Sequence, residues 1–577
     1  REERYLSKIT NGIGHITEIT YRPLRPDLIA ANYIKSSEFE YGNPSETSGG
    51  SHLYPYPYNV LSIPMHAVFS IRTPNGIGGQ ITTDYYYENL QYHSAGRGLL
   101  GFKKITANQW SSNRKQIVEN EVNNEFLIPF TKKTLSTDGS DLPISETRYE
   151  YTFTKVNSIY SDKRFYKKLS KTLEIDKLQD AGVENIYTYD DYGNPTTVVT
   201  KSGYYNGTTL TSLETKTFTT TFGQYGTPVP ASPLTVSMQS QRTGEPLVTK
   251  TTTNTYNTNN TLATQVEFSG QPKAVTTTNT YGSFGNLTQT TTTATGLPVK
   301  TSQWTYDPKG RFLIESKKLA TGVVQKEVFT YHPVWGKVLT SQSTDGLTTT
   351  YEYDAFGRVI NEKRPENYTI THTLSWTQIA GVYVITTSQP GGGPDTKKFY
   401  DVLGRMIREE ASGLNNNWTV STQLYNSRGQ LSEHKDPAYS NEIPRTLSYI
   451  YDNFGRRTSI TSPEGTTGIN YQKLANGQLK ITTTSPSGQS TSKTLDAAGK
   501  TVSSTDNGGQ LNYLYDSWGN QRNVSIGSYN LVQNTYDIYG RSAVSTDINS
   551  GATTEEYNAY GTFEKSKSIG KCYNNGI

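Results

Sequence analysis

The sequence predicts an all-β chain, a long antiparallel meander of short repeats winding into a curved or spiral sheet. Three observations carry that expectation. The run Tyr-Asp-x-x-Gly-Arg recurs from about Tyr189 to the end of the 577 residues. A second set of glycines falls between its copies. The residues entering each copy alternate in character with a period of two, the periodicity of a strand. A fixed-period repeat sets the architecture before any single element is considered.

Full copies of the motif are Tyr306-Asp307-Pro308-Lys309-Gly310-Arg311, Tyr353-Asp354-Ala355-Phe356-Gly357-Arg358, Tyr400-Asp401-Val402-Leu403-Gly404-Arg405, Tyr451-Asp452-Asn453-Phe454-Gly455-Arg456 and Tyr536-Asp537-Ile538-Tyr539-Gly540-Arg541. Tyr189-Asp190-Asp191-Tyr192-Gly193-Asn194 and Tyr515-Asp516-Ser517-Trp518-Gly519-Asn520 change only the last residue. Looser copies begin at Phe222, Tyr256, Tyr281, Tyr331, Tyr425, Leu495 and Tyr557. Starts at 256, 281, 306, 331 and 353 lie 25, 25, 25 and 22 residues apart, and those at 495, 515, 536 and 557 lie 20, 21 and 21 apart. The wider gaps, 353 to 400 and 451 to 495, each hold two units, with Trp376 and Tyr471 marking decayed copies.

Each copy reads as a strand end, a tight turn and a strand start. Leu447, Tyr449 and Tyr451 share one face, as do Leu511, Tyr513 and Tyr515. The Asp accepts N–H groups two residues on, as in an Asx-turn. The Gly supplies a positive φ without steric cost, a place that Asn260 takes in the copy at Tyr256. The intervening glycines, Gly296, Gly322 and Gly346 among them, mark a second turn in each unit, so one unit is two strands. Tyrosine positions are expected to stack from unit to unit, each aromatic pair adding about 0.5–1.5 kcal/mol.

Composition agrees. Fifty Gly, 43 Tyr and Thr-rich stretches such as Thr217–Thr221 and Thr290–Thr293 suit strands and turns. Only 33% of residues are hydrophobic, too few for a thick core, which favours a single sheet wet on both faces and curling around a void. A net charge of +4 gives no footprint for nucleic acid. One cysteine, Cys572, excludes a disulfide within the chain, and no apolar run is long enough for a membrane helix. With Arg1 first and no leader visible, the chain reads as an internal fragment whose repeats continue past Ile577.

Before the repeats, Leu6–Gly14 and Ile16–Tyr21 read as strand, Asn-Gly turn, strand. Tyr54-Pro55-Tyr56-Pro57-Tyr58 reads as an edge or loop, because proline cannot donate to a ladder. Thr82–Tyr87 is a strand, followed by Gly96-Arg97-Gly98-Leu99-Leu100-Gly101-Phe102, a glycine-rich turn without the helix that a phosphate loop requires. Lys163, Arg164, Lys167, Lys168 and Lys171 form the densest basic stretch and read as a solvated face. The expected division is 1–135, 136–188 as a β-rich connection, and 189–577 as the repeat array, with Pro390–Pro394 a loop inside it.

Chemistry is sparse. The seven histidines are scattered and Cys572 has no partner, so no zinc set is spelled. No Gly-x-Ser-x-Gly elbow occurs, and the patterned aspartates sit at turn positions. The expectation is no catalytic residue, cofactor or metal. The cation after each motif glycine (Arg311, Lys337, Arg358, Arg405, Arg456, Lys500, Arg541) could line a path for nucleic acid or acidic glycan. The alternative, favoured by the near-neutral charge, is pairing with Asp or carbonyls of a neighbouring unit.

The Tyr-Asp-x-x-Gly-Arg run resembles the YD repeat of Rhs-type proteins, which include the B components of bacterial Tc toxin complexes and, more distantly, teneurins. Asn11-Gly12-Ile13-Gly14 and Gly96–Phe102 resemble the middle region of the same B components, placed here over 1–135. The resemblance implies a hollow repeat shell enclosing and delivering a C-terminal toxin. Its implied partners are that cargo and other toxin-complex components, and its implied location is extracellular, secreted or on the cell surface. The self-cleavage aspartate and toxin of cargo-bearing relatives match no residues here. Two other readings stand beside it: a secreted or surface adhesin whose aromatic ladders bind carbohydrate, and a propeller with two units per blade.

Overall fold

The structure, a computed structural model, describes residues 5–23, 58–60, 66–94, 96–155, 164–223, 231–320, 322–377, 381–414 and 417–569. The Tyr54–Pro57 run, His52, Lys163 and Cys572 lie outside them. Forty-two strands form one antiparallel sheet. From Gly98–Gln109 to Phe563–Ile569 every strand pairs with the one before and after it in sequence. Ahead of these, Lys8–Thr10 pairs with Ile16–Pro23, which pairs with His66–Pro74, which pairs with Gln80–His93. The sheet runs without a break past residues 135 and 188, which fall inside the strands Ile128–Asp138 and Ala181–Tyr189. An unbroken meander has no separate blades, so the propeller reading is wrong.

Local composition explains the ladder. β-Branched threonine suits a pleated surface, and threonines face one another across strands, as in Thr276↔Thr293, Thr277↔Thr292 and Thr278↔Thr291. Their hydroxyls bridge between strands at Thr255–Thr264 (2.6 Å) and Thr330–Thr340 (2.7 Å). The only cluster of buried apolar side chains among the described residues is Leu173, Ile175 and Tyr205, with Leu210 against it. Apolar burial alone therefore does not hold this sheet together; ladder hydrogen bonds and turns do much of it.

Successive strands run in opposite directions, so the sheet has two unlike edges. Every Tyr-Asp turn follows an odd-numbered strand and lies on one edge, here the motif edge; the other turns lie on the hairpin edge. The sheet winds back so that these edges meet. Arg405 reaches the Asn75 carbonyl (2.8 Å), joining the loop after the fourth strand, His66–Pro74, to the turn after the twenty-seventh, Thr396–Tyr400. Gln179 reaches the Gly477 carbonyl (2.8 Å), joining the tenth strand's turn to the thirty-third's. Ser240 donates to the Ser517 carbonyl (2.5 Å), joining the fourteenth to the thirty-seventh. The Lys273 N–H donates to the Tyr539 hydroxyl (2.8 Å), joining the sixteenth to the thirty-ninth. Tyr560 donates to the Pro298 carbonyl (2.9 Å), joining the eighteenth to the forty-first. The offset is 23 strands in all five places.

An odd offset is what an antiparallel winding needs, since only then does a motif turn fall over a hairpin turn. Twenty-three strands at roughly 4.8 Å each trace a circuit of about 110 Å, or about 35 Å across. The accessible surface is 33807 Å². A compact monomer of 64.2 kDa exposes about 20,000 Å². A wall one sheet thick, exposed on both faces, accounts for the excess. In solution scattering the radius of gyration should therefore exceed the roughly 25 Å of a solid 577-residue domain. A value at or below that figure would mean a filled body.

Candidate functional site: the motif edge and the seam between windings

The motif turn is closed by its own backbone. In Asp354–Arg358 the Asp N–H donates to the Arg carbonyl (2.9 Å) and the Gly357 N–H to the Asp carbonyl (3.0 Å). The same pair closes the turns at Asp190, Asp401, Asp452, Asp516 and Asp537, with Gly193, Gly404, Gly455, Gly519 and Gly540 donating. The copy at Tyr306 is one residue longer, its Asp307 N–H donating to the Phe312 carbonyl (2.9 Å) while Gly310 keeps its bond to Asp307. Gly357, Gly404 and Gly455 have φ of 75°, 75° and 81°, and Asn260 has 64°. The decayed units keep the turn: Thr377 bonds to Val382 after Trp376, and Leu474 to Gln478 after Lys473, two residues beyond Tyr471.

The Asp side chain fills the turn. Asp452 Oδ1 accepts the N–H groups of Phe454 (2.9 Å) and Arg456 (2.8 Å), while Oδ2 accepts from Arg456 Nε (2.7 Å). Asp354–Arg358, Asp401–Arg405 and Asp537–Arg541 repeat this arrangement. Asp307 pairs with Arg311, and Asn194 and Asn520 replace the arginine on Asp190 and Asp516. The Arg358 N–H on the Asp354 carboxylate holds its pKa below the usual range; partial burial opposes this, and the guanidinium adds to it. Each of the five motif arginines thus pairs first with the Asp of its own turn, whereas Lys500 reaches the carbonyl of the next turn and the turn of Lys337 carries His332 in place of the Asp.

The same cation reaches forward. Arg405 lies over the Tyr425 ring at 4.2 Å, Arg456 over Tyr471 at 4.4 Å and Arg541 over Tyr557 at 5.4 Å. Lys500 donates to the Gly519 carbonyl (3.0 Å), and Arg541 to Asn558 (2.7 Å). The tyrosine hydroxyl in turn reaches back to the first carbonyl of the strand that opens after the preceding turn. Tyr451 bonds to Leu431 (2.7 Å), Tyr353 to Val338 (2.7 Å), Tyr515 to Thr501 (2.7 Å) and Tyr536 to Gln521 (2.7 Å). Tyr471 bonds to Arg457 (3.1 Å) and Tyr425 to Met406 (3.1 Å), while Tyr189, at the start of the array, bonds to Leu169 (2.7 Å) inside the strand Phe165–Asp176.

Ring-on-ring stacking of successive motif tyrosines is therefore not the general link. Tyr400 does stack on Tyr383 (5.0 Å), but successive motif tyrosines are two strands apart, about 10 Å, too far for ring contact, while the hydroxyl needs to reach only the adjacent strand. Each motif tyrosine also sits at a one-residue bulge, Tyr306 opposite Leu313 and Tyr353 opposite Val359. A bulge re-aims the side chain along the sheet.

The motif glycine meets a second demand. A Cβ on Gly519 would lie 2.7 Å from Lys500 Nζ, and one on Gly310 would lie 2.6 Å from the Phe284 ring. At Gly310, Gly336, Gly357 and Gly519 the turn is pressed by a side chain of the turn before it. Sequence reading did not single out the residue just before the motif glycine, although it is aromatic at Tyr192, Phe284, Trp335, Phe356, Phe454, Trp518, Tyr539 and Tyr560. At the seam this residue is the contact: Tyr539 packs edge-on against Phe268 (4.8 Å), and Tyr560 lies under Lys300 (4.1 Å). Charge completes the seam, with Lys473 on Asp180 (2.5 Å), Arg242 between Glu214 and Asp496, and Arg522 on Glu245. Among the described residues no three His, Cys, Asp or Glu side chains come together, and no helix is long and apolar enough to cross a membrane.

A family model for the RHS repeat matches residues 334–369 and 425–467, which hold the motifs at Tyr353, Tyr425 and Tyr451. Over those two stretches the chain carries RHS repeats. Its fold is that of Tc toxin structures described as TcdB2-TccC3 (11% identity, TM-score 0.71, 97% of this chain) and as TcdB2-TccC3 without its hypervariable C-terminal region (11% identity, TM-score 0.73, 97% of this chain). The chain spans 40% and 41% of the length of those chains. No curated protein matches the sequence.

Two predictions follow from the RHS turn. Replacing Tyr451 by Phe deletes the bond to Leu431 and should cost about 1 kcal/mol in denaturant unfolding. Gly519→Ala, strained by φ of 86° and by Lys500, should cost roughly 1 kcal/mol or more. A third concerns pH. Burial raises the hydroxyl pKa of Tyr353, Tyr425, Tyr515 and Tyr536 in the fold. Their contribution is complete below the unfolded value near 10 and is lost as pH rises through the folded values. Titration of tyrosinate absorbance should show these rings ionising together with loss of the sheet above that pH; ionisation with the sheet intact would contradict the ladder.

Proposed function

We propose that this chain is a section of wall in an RHS shell that encloses a polypeptide cargo and delivers it as part of a secreted toxin complex. It acts as a container and carries out no chemistry of its own. The observation that supports this best is the constant offset of 23 strands, which makes one sheet return to itself around a space. A wall with threonines and charges on its faces can hold an unfolded chain in water without adhering to it. The family of folds it shares points the same way, since the similar structures are those of a Tc toxin. The adhesin reading draws on aromatic ladders open to carbohydrate, whereas the motif tyrosines Tyr353, Tyr451, Tyr515 and Tyr536 are half-buried with their hydroxyls bonded to strand carbonyls, which favours the container.

The test is enclosure. An unstructured, protease-sensitive segment fused after Ile577 should be cut at least tenfold more slowly than the same segment on a compact carrier of similar size. Equal rates would overturn the container reading.

A further inference from the structure

Two arginines meet inside the seam without an anion between them. The residue before the motif glycine makes the seam contact at Tyr539 and Tyr560, and in the copy at Tyr425 that residue is Arg428. Its Nη1 donates to the Asp452 carbonyl of the next motif turn (3.3 Å). Arg114 comes to the same turn from the first winding. It opens the strand Arg114–Asn123 and lies opposite Asp138, where the eighth strand, Ile128–Asp138, gives way to its hairpin turn. That hairpin precedes the turn after the thirty-first strand, Thr446–Tyr451, by the same 23 strands. A Cβ on Gly455 would lie 3.8 Å from Arg114 Nη2. One guanidinium from each winding therefore lies on the Asp452–Arg456 turn.

Neither charge is answered by the protein. Asp138 Oδ1 accepts the N–H groups of Ser140 and Leu142 (2.9 Å each) and the Ser140 hydroxyl, all within its own turn. Asp452 is paired with Arg456 (2.7 Å). Among the described residues neither Arg114 nor Arg428 forms an ion pair, and Arg114 Nη1 is buried without a hydrogen-bond partner. Burial, and after it the charge of Arg428, push the Arg114 pKa below its ordinary value, against the opposing pull of Asp138 and Asp452. A guanidinium stays protonated in a protein, so a buried one without an anion is costly.

We infer that Arg114 and Arg428 form a binding site for one small tetrahedral oxyanion of the phosphate class, held between the two windings. Arginine forks bind phosphate through paired, charge-assisted hydrogen bonds. A tetrahedral ion offers oxygens to two forks arriving from different windings, whereas a planar carboxylate suits one. Bound there, the ion joins the windings at a place where like charges otherwise oppose their contact. The inference concerns the seam and stands apart from whether the lumen holds cargo.

Isothermal titration calorimetry of the full chain with inorganic phosphate, at constant ionic strength, tests it. One phosphate should bind per chain with a Kd below about 1 mM. The midpoint of thermal unfolding should rise as the site fills. Acetate under the same conditions should bind roughly tenfold more weakly or not at all. Arg114→Gln and Arg428→Gln should each weaken phosphate binding by roughly tenfold or more while circular dichroism is unchanged. Arg358→Gln removes one charge from a first-winding turn and should leave the affinity as it was. A loss there equal to that of the seam variants would reduce the effect to net charge and overturn the site. Phosphate binding that both seam substitutions leave unchanged would place the ion elsewhere and overturn it too. The unmodified chain decides the matter even where a variant does not fold, since the lack of saturable phosphate binding to it would end the proposal.

Discussion

A wall made of one antiparallel sheet has two edges that differ in chemistry, and a spiral must set one edge upon the other. That constraint fixes the parity of the winding. Motif turns follow odd strands and hairpins follow even ones, so the edges meet turn upon turn only if the strands per winding are odd in number. Turns 23 strands apart meet from the Asn75–Arg405 contact to the Pro298–Tyr560 contact, and long side chains between them reach the flanking turns, as Arg242 does to Asp496 and Gln179 to the Asp496 carbonyl. Loop lengths and strand lengths vary widely over the same stretch, from the 14 residues of Gln80–His93 to the 5 of Val359–Lys363. Curvature is therefore counted in strands, not in residues.

The motif serves that count. Asp closes the turn, the cation joins the Asp to the next unit's ring, and the tyrosine hydroxyl returns to the strand behind. The hydroxyl crosses to the adjacent strand and the cation reaches the ring of the next unit, so the spacing between units is set by side chains as well as by the ladder. Individually the links are small: a neutral hydrogen bond contributes about 1 kcal/mol and an exposed cation–π contact about 0.5–1 kcal/mol. Repetition makes them sufficient where buried apolar residues are few. The motif glycine holds a positive φ, and at Gly310, Gly336, Gly357 and Gly519 a side chain of the preceding turn presses on it as well.

Much of this was legible in the sequence, because strand alternation, turn chemistry and repeat spacing are local. The turn at Tyr353–Arg358 and the place of Asn260 follow from residues a few positions apart. The single curved sheet followed from a low apolar content joined to a long repeat. What could not be read was the seam. Its partners, such as Arg242 with Asp496 and Lys273 with Tyr539, are 254 and 266 residues apart, and only one of each pair lies in a motif. The expectation of stacked tyrosines failed for a simple metric reason, the two-strand distance. The aromatic before the motif glycine was visible as a pattern, yet its part in the seam at Tyr539 and Tyr560 depends on Phe268 and Lys300, far earlier in the chain.

The claim on which the rest depends is that the sheet closes on itself at this register, and the Lys473–Asp180 ion pair tests it directly. The two groups lie 2.5 Å apart across the seam, although strands Ala181–Tyr189 through Gly465–Lys473 separate them along the sheet. Zero-length carbodiimide coupling followed by peptide mass spectrometry should join Lys473 to Asp180 within one monomer. Lysine cross-links confined to carboxylates on adjacent strands, with none spanning the seam, would contradict the winding.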